Sequence, residues 1–302
     1  MQQNYFLSLF FSGLTKGSIY ALIALGYTMV YGVVQLINFA HGEIYMIGAF
    51  TGLIAYTVFT YSGLPLPFIL PAVLITSAVC AGAYGYTIEK IAYRRLRNAP
   101  RLSALITAIG MSLVLQNYVM LMQTSDFLNF PNLFPELSFL SGIRHILNSG
   151  QIIILASALL IMIILWFFIT KTMAGKAMRA AAQDQIMAQL LGINLNSVTA
   201  QCFVIGSATA AIGGVLISAQ TGQINFYIGF TAGLKAFAAA VLGGIGSIPG
   251  AVAGSLVLGF TESFGSGYIS SQYEDLFAFV ILIVILIFKP AGLFGSTAKE
   301  KV

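Results

Sequence analysis

The chain has 302 residues, 58% of them hydrophobic and only 8% charged, with 14 Lys and Arg against 9 Asp and Glu for a net charge of +5. A soluble domain carries about 25% charged residues because water must solvate most of its surface, so a cytosolic enzyme, a secreted disulfide scaffold and a disordered tail are all excluded. The mean hydropathy of +0.91 points instead to a chain solvated by lipid, whose basic excess is read from its placement and not as a nucleic-acid surface.

The opening residues MQQNYFLSLFF carry no basic region and no A-x-A cleavage site, so the first apolar segment is expected to stay in the mature protein. Charge-free runs follow along the chain. A spanning helix needs about 20 apolar residues, because about 30 Å of hydrocarbon is crossed at about 1.5 Å per residue. On that scale the predicted spans are 16 to 35, 43 to 61, 69 to 89, 102 to 122, 150 to 170, 198 to 219, 248 to 267 and 271 to 289. Pro65, Pro67 and Pro71 break the long run from 44 to 88 into a hairpin. The Gly-rich segment 232 to 246 is a ninth crossing or a re-entrant helix. The stretches show no dyad alternation, which excludes a barrel. The fold class is therefore an all-α polytopic membrane protein of about eight helices, some re-entrant or broken, read as one transmembrane domain over 1 to 302.

Cytoplasmic loops are enriched in Lys and Arg. Lys90, Arg94, Arg95, Arg97 and Arg101 fill one short loop, Lys171, Lys176 and Arg179 open another, and Lys289, Lys299 and Lys301 lie in the tail. All three are expected in the cytoplasm. The loop 123 to 149, with Asp126, Glu136 and Arg144, and the acidic region at Glu274 and Asp275 are expected outside. Cys80 and Cys202 sit in apolar runs without redox or metal spacing and read as small buried hydrophobes.

Two segments share the pattern I-N-F-x-x-G, one at Ile37 to Gly42 and one at Ile224 to Gly229. Each follows a span and precedes another apolar segment, and the predicted orientation puts an odd number of crossings between them, the parity of an inverted repeat. Asn is a good N-cap, so a helix starting after Asn38 or Asn225 would aim its partial positive end at a passing solute. Ordinary interfacial loops are the alternative. His41 and Glu43 line a path or lie at headgroup level. Lys235 and Glu262 flank the Gly-rich segment VLGGIGSIPGAVAG. As intramembrane ionisable groups they are pathway candidates, unless each snorkels to an interface. Gly243, Gly244, Gly246 and Pro249 read as a sharp turn between two helices.

The stretch 171 to 197 is the cytoplasmic loop with the most helix-forming content. Between Gly175 and Gly192 it is rich in Ala, Met, Gln and Leu, with Ile186, Leu190 and Ile193 at three- to four-residue spacing, which predicts one amphipathic helix. Its polar face offers Gln and Asp184 and not the Lys-rich face that lipid favours, so a docking helix for a cytoplasmic partner is preferred over a headgroup helix. No G-x-x-x-x-G-K-[ST] loop, H-E-x-x-H pair or Cys cluster is present in the sequence, and neither ATP hydrolysis nor metal chemistry is expected on this chain. Besides a permease, two readings remain: an ion-coupled carrier, and an intramembrane enzyme that would have to use Ser266 with His41 or Glu262.

The stretches GSIYALIALGYTMVYGVVQLINFAHGEIYMIGAF, LITAIGMSLVLQNYV, GKAMRAAAQDQIMAQLLGIN and TAGLKAFAAAVLGGIGSIPGAVAG resemble the LivH-type permeases of bacterial high-affinity branched-chain amino acid ABC importers, nearly end to end and in the same order. Only residues 123 to 149 depart from the family pattern. The resemblance implies a multi-pass inner-membrane subunit with a cytoplasmic C-terminus, importing leucine, isoleucine or valine, or another small neutral solute such as urea or an amide. It implies a related second permease, two cytoplasmic subunits that bind Mg-ATP, and a periplasmic amino-acid-binding protein as partners, with no cofactor and no metal on this chain. It further implies a coupling loop to the ATPase that includes Arg179, Ala182, Asp184, Met187, Leu191 and Gly192.

Overall fold

In the computed structural model, residues 2 to 97, 99 to 136 and 146 to 295 are described. The chain is almost wholly helical. Helix α1 (Gln2–Val34) is followed by α2 (His41–Tyr61) and α3 (Leu66–Ile88), which passes through a π-helical turn at Glu89–Tyr93 into the short α4 (Arg94–Leu96). Helices α5 (Arg101–Met122) and α6 (Ser149–Lys171) come next, then the short pair α7 (Met173–Gln183) and α8 (Gln185–Leu190), and the long α9 (Leu195–Thr221). The last three are α10 (Ile228–Gly243), α11 (Ile248–Tyr268) and α12 (Glu274–Phe288).

Among the described residues, seven helices are long and apolar enough to cross a membrane, and α10 with α11, bent by 120° at residues 244 to 247, bring the number to eight. The expected turn at Gly243 to Pro249 is therefore present, and Gly244 and Gly246 hold it with φ of 101° and 94°, values a side chain disfavours. Helix α10 has 16 residues, or about 24 Å at ~1.5 Å per residue, less than the ~30 Å hydrocarbon core.

Helix α1 begins at Gln2, not near residue 16. Lys16 had marked the edge of the predicted span, but its ammonium is paired with Glu274 Oε1 at 2.8 Å, so the helix runs through it. At 33 residues, α1 is about 50 Å long. It is the central helix of the bundle, with Ala21, Leu22, Ile23 and Ala24 fully buried. Its Gly13 and Gly17 form a G-x-x-x-G pair that lies against Gly259, Phe260, Ser255 and Leu256 of α11. Small residues let two backbones approach closely in lipid, where dispersion and not the hydrophobic effect drives association. Gly26 meets Gly206 of α9 in the same way.

Contacts between helix ends sort the loops onto two sides. On one side, β1 (Leu128–Asn129) pairs antiparallel with β2 (Gln223–Ile224), Leu128 opposite Ile224 and Asn129 opposite Gln223, and Tyr5 donates to the Gly267 carbonyl. On the other, Arg97 reaches Asn196, Gln185 reaches the Val33 carbonyl, and the backbone at Leu293 and Phe294 bonds to Leu242 and Gly243. The basic segments at 90 to 97 and 171 to 179 thus share one side and the acidic Glu274 region lies on the other, as the charge pattern predicts. The 90 to 101 segment is mostly helix, not loop, because Arg94 and Arg97 are both held by the buried Glu89 carboxylate. Arg144, Lys299 and Lys301 lie outside the described residues, as does the stretch 137 to 145 of the outer loop. Cys202 is buried and Cys80 half-buried, both free.

Candidate functional site

Helix α10 organises the polar interior, because its first turns and its middle serve two clusters. The first is built on Lys235. Its ammonium stands 3.0 Å from Glu262 Oε1 of α11, 2.7 Å from Asp275 Oδ1 and 3.8 Å from Glu274 Oε1 of α12. Tyr20 of α1 donates to Glu262 Oε2 at 2.7 Å, and Lys16 donates to Glu274 Oε1. Glu262 is 0% exposed, and a buried carboxylate is tolerated only when opposite charge and donors compensate its lost hydration. Here both oxygens are met, one by an ammonium and one by a phenol. Four helices are tied together at this point. Beside the cluster lies a cavity of about 400 Å³ lined by Lys16, Tyr20, Tyr45, Ser218, Lys235 and Glu274 among others.

The second cluster joins the start of α10 to the start of α2. A Cβ on Gly42 would collide with the Gly229 carbonyl and crowd Gly233, and a Cβ on Gly229 would meet Glu43 Oε2 and the Gly42 carbonyl. The two helices therefore cross with their first turns in backbone contact. Glu43, fully buried, accepts from Ser112 Oγ of α5 at 2.9 Å through Oε1. Its Oε2 has no hydrogen-bond partner among the described residues. The carboxyl sits in the first turn of its own helix and against the second residue of α10, so two helix N-termini, each carrying about half a positive charge, face it, and no cation among the described residues pairs with it. His41 Nε2 donates to the Ile23 carbonyl at 3.2 Å and its ring packs edge-to-face on Tyr27 at 4.7 Å.

The asparagines do not act as expected. Helix α2 starts after Ala40 and α10 after Tyr227, neither with a side-chain cap. Asn38 instead accepts from the Tyr93 hydroxyl at 2.9 Å, pinning the 35 to 40 segment to the π turn. Asn225 Oδ1 accepts from the Tyr227 amide within a local turn. The backbone carbonyls of both asparagines accept from the first helical amides, His41 and Ile228, while their side-chain oxygens are engaged elsewhere. The positive helix ends expected there do exist, and Glu43 occupies them.

The third region is the elbow between α6 and α9. In place of one helix over 175 to 192 there are two, because Asp184 leaves helical geometry at φ −154° and ψ 110°. It ends α7 and caps α8 through Oδ1, which accepts from the Met187 amide at 2.9 Å. Thr172 caps α7 and Asn194 caps α9. Arg179 donates to the Ile169 carbonyl, and Gly192, at φ 82°, turns the chain after α8. Arg179, Ala182, Asp184, Met187, Leu191 and Gly192 all lie exposed on this elbow. Ile186, Leu190 and Leu191 are 74%, 76% and 74% exposed, a knob of large aliphatic side chains that no other part of the described chain covers.

Residues 9–286 match the family described as the permease component of branched-chain amino acid transport systems. The chain belongs to that family. It is 49% identical over 96% of its length to the high-affinity branched-chain amino acid transport permease BraD of Pseudomonas aeruginosa, covering 96% of that protein. It is 47% identical over 99% of its length to the corresponding permease LivH of Escherichia coli, covering 98% of it. The high-affinity permease LivM of Salmonella typhimurium is 23% identical over 95% of this chain and 70% of LivM. The chain is a multi-pass membrane permease.

Of the pathway candidates in this permease, the structure brings Asn38, His41 and Glu43 into one buried joint and Lys235 and Glu262 into one ion cluster, and sets Asn225 apart beside β2. The sequence reading missed Lys16, Tyr20, Glu274 and Asp275 as partners of Lys235 and Glu262. The available signal was that isolated charges of opposite sign within apolar runs have to find one another. It also missed Ser112, which no local pattern distinguishes.

Proposed function

We propose that this permease is one of two related membrane subunits of an ATP-driven importer of branched-chain amino acids in a bacterial inner membrane. Separate cytoplasmic subunits bind and hydrolyse Mg-ATP, and a periplasmic protein delivers the amino acid. The observation that carries the reading is the apolar knob on α8: it stands on the side that gathers Lys90, Arg94, Arg95, Lys171 and Lys176, which the positive-inside rule makes cytoplasmic, and exposed aliphatic groups in that number mark a protein contact. The tail then enters the cytoplasm. In this reading residues 171 to 197 form the coupling loop, with Met187 and Leu191 in contact with the ATPase. Asp184 and Gly192 fix the angle of α8, and Arg179 and Ala182 carry its movement to α6. Lys235 and Glu262 lie on the solute path. Asn38, His41 and Glu43 hold the joint about which α2 and α10 move, and Asn225 sits at the outer mouth. The relatives' names as branched-chain amino acid transport permeases support the solute class.

The test is uptake of radiolabelled leucine by vesicles holding the full complex with the combined Asp184→Arg and Gly192→Trp substitutions. The permease is expected to insert and uptake to be abolished. Uptake at the normal rate would overturn the coupling assignment.

A further inference from the structure

The cavity beside Lys235 has features that the ion cluster alone does not require. At about 400 Å³ it falls within the range of small-molecule sites, about 300 to 1,000 Å³. Its lining divides by chemistry. Lys16, Lys235 and Glu274 supply charge, Tyr45, Ser218 and Thr231 supply hydroxyls, and Ile19, Ile217, Ile228 and Ala232 supply aliphatic surface. The ammonium groups have donors to spare. Lys235 has close partners at 3.0 and 2.7 Å, but Glu274 Oε1 stands 3.8 Å away, beyond hydrogen-bond reach. Lys16, a three-proton donor, makes one hydrogen bond among the described residues, also to Glu274 Oε1. One carboxylate oxygen is thus shared by two cations.

We infer that this cavity binds an aliphatic amino acid as its zwitterion, Lys235 and Lys16 taking the α-carboxylate, Glu274 taking the α-ammonium, and the isoleucines taking the side chain. The inference rests on the importer reading above and gives it a site. A solute carrying both charges exchanges one-for-one with the Lys16–Glu274 and Lys235–Glu274 contacts, so it enters without adding net charge to a low-dielectric site. A lone amine or a lone carboxylate cannot do this, since each would leave one of the separated partners unpaired. Because those contacts link α1 and α10 to α12, the exchange loosens α1 from α12, while Asp275 and Glu262 keep α10 on α12 and α11.

The experiment uses vesicles containing the assembled complex of both permeases and the ATPase subunits, photolabelled with the diazirine analogue of leucine without ATP, and peptide mapping of the adducts. Label is expected in the peptides bearing Ile217 and Ser218 or Ile228 to Ala232. Excess leucine should suppress it, whereas isoamylamine, which lacks the carboxylate, and 4-methylpentanoate, which lacks the ammonium, should not. Lys235→Met should cut the label by about tenfold or more, the order expected for losing a charge-assisted hydrogen bond, and Lys16→Met, at a more exposed site, should weaken it less. Label that misses both peptides, or equal protection by the amine or the acid, would overturn the cavity assignment while ATP-driven leucine uptake stood. Absence of that uptake from the wild-type complex supplied with its binding protein would overturn the importer reading, and this inference with it.

Discussion

At the scale of single residues, the interior of this permease is governed by how few charges it holds and how each is compensated. Lys235 and Glu262 are mutual partners, and removing one leaves the other buried and uncompensated at a cost of about 3–5 kcal/mol. Lys235→Met should therefore lower the melting temperature of the detergent-solubilised protein markedly, and adding Glu262→Leu should restore most of the loss. If the double variant melted no higher than the single, the pair would not be the source of the stability. Steric economy is equally local. Gly42→Val places a side chain into the Gly229 carbonyl, and overpacking of this kind costs about 1–3 kcal/mol. Gly110→Val on the exposed face of α5, where a Cβ meets nothing within 4 Å, should change stability by less than ~0.5 kcal/mol. The same thermal assay compares them. Lys16 shows why residue-level reading of the sequence failed in places. Its partner Glu274 is 258 residues away, and a local window sees a charge that ends a span where the fold supplies a counter-ion that lets the span continue.

At the scale of elements, most helices were legible, because apolar length against bilayer thickness is a one-dimensional property. The predicted spans from 43 to 61, 102 to 122 and 150 to 170 match α2, α5 and α6 to within about two residues at each end. The elbow was legible in place and composition but not in shape. Helix-forming residues run unbroken from 175 to 192, yet Asp184 can satisfy the amide of Met187 only by leaving helical geometry itself, and that competition divides the segment. Asp184→Ala removes the cap at a cost of about 1 kcal/mol. It should fray α8 and lower uptake while leaving the spans intact, which hydrogen exchange of residues 185 to 190 would show. Faster exchange without slower uptake would mean that α8 need not be ordered for coupling. Replacing Ile186 and Leu190 together with Glu should abolish co-purification of the ATPase subunits with an otherwise normally inserted permease. Full retention of those subunits would exclude the knob as the contact.

At the scale of the whole molecule, the two I-N-F-x-x-G segments were visible as a repeat, and five helices, α2, α3, α5, α6 and α9, separate them, the odd number an inverted pair requires. Their meeting was not legible. Nothing in either copy says that Gly42 and Gly229 touch, since that contact depends on how far α2 is set back from the end of α1, and this is fixed by Gln35 at φ 56° and by the Asn38–Tyr93 hydrogen bond. The resulting molecule has a broken helix held by glycines at its start and by charges at its middle, and an apolar knob on the basic side through which force can be applied. The central claim is that this force comes from a separate ATPase. It is tested most directly by reconstituting the permease pair with its binding protein in vesicles, with and without the ATP-hydrolysing subunits, and measuring uphill leucine uptake under imposed proton and sodium gradients. Uptake only with the ATPase and ATP present is predicted, and uphill uptake driven by an ion gradient with the ATPase left out would contradict the account.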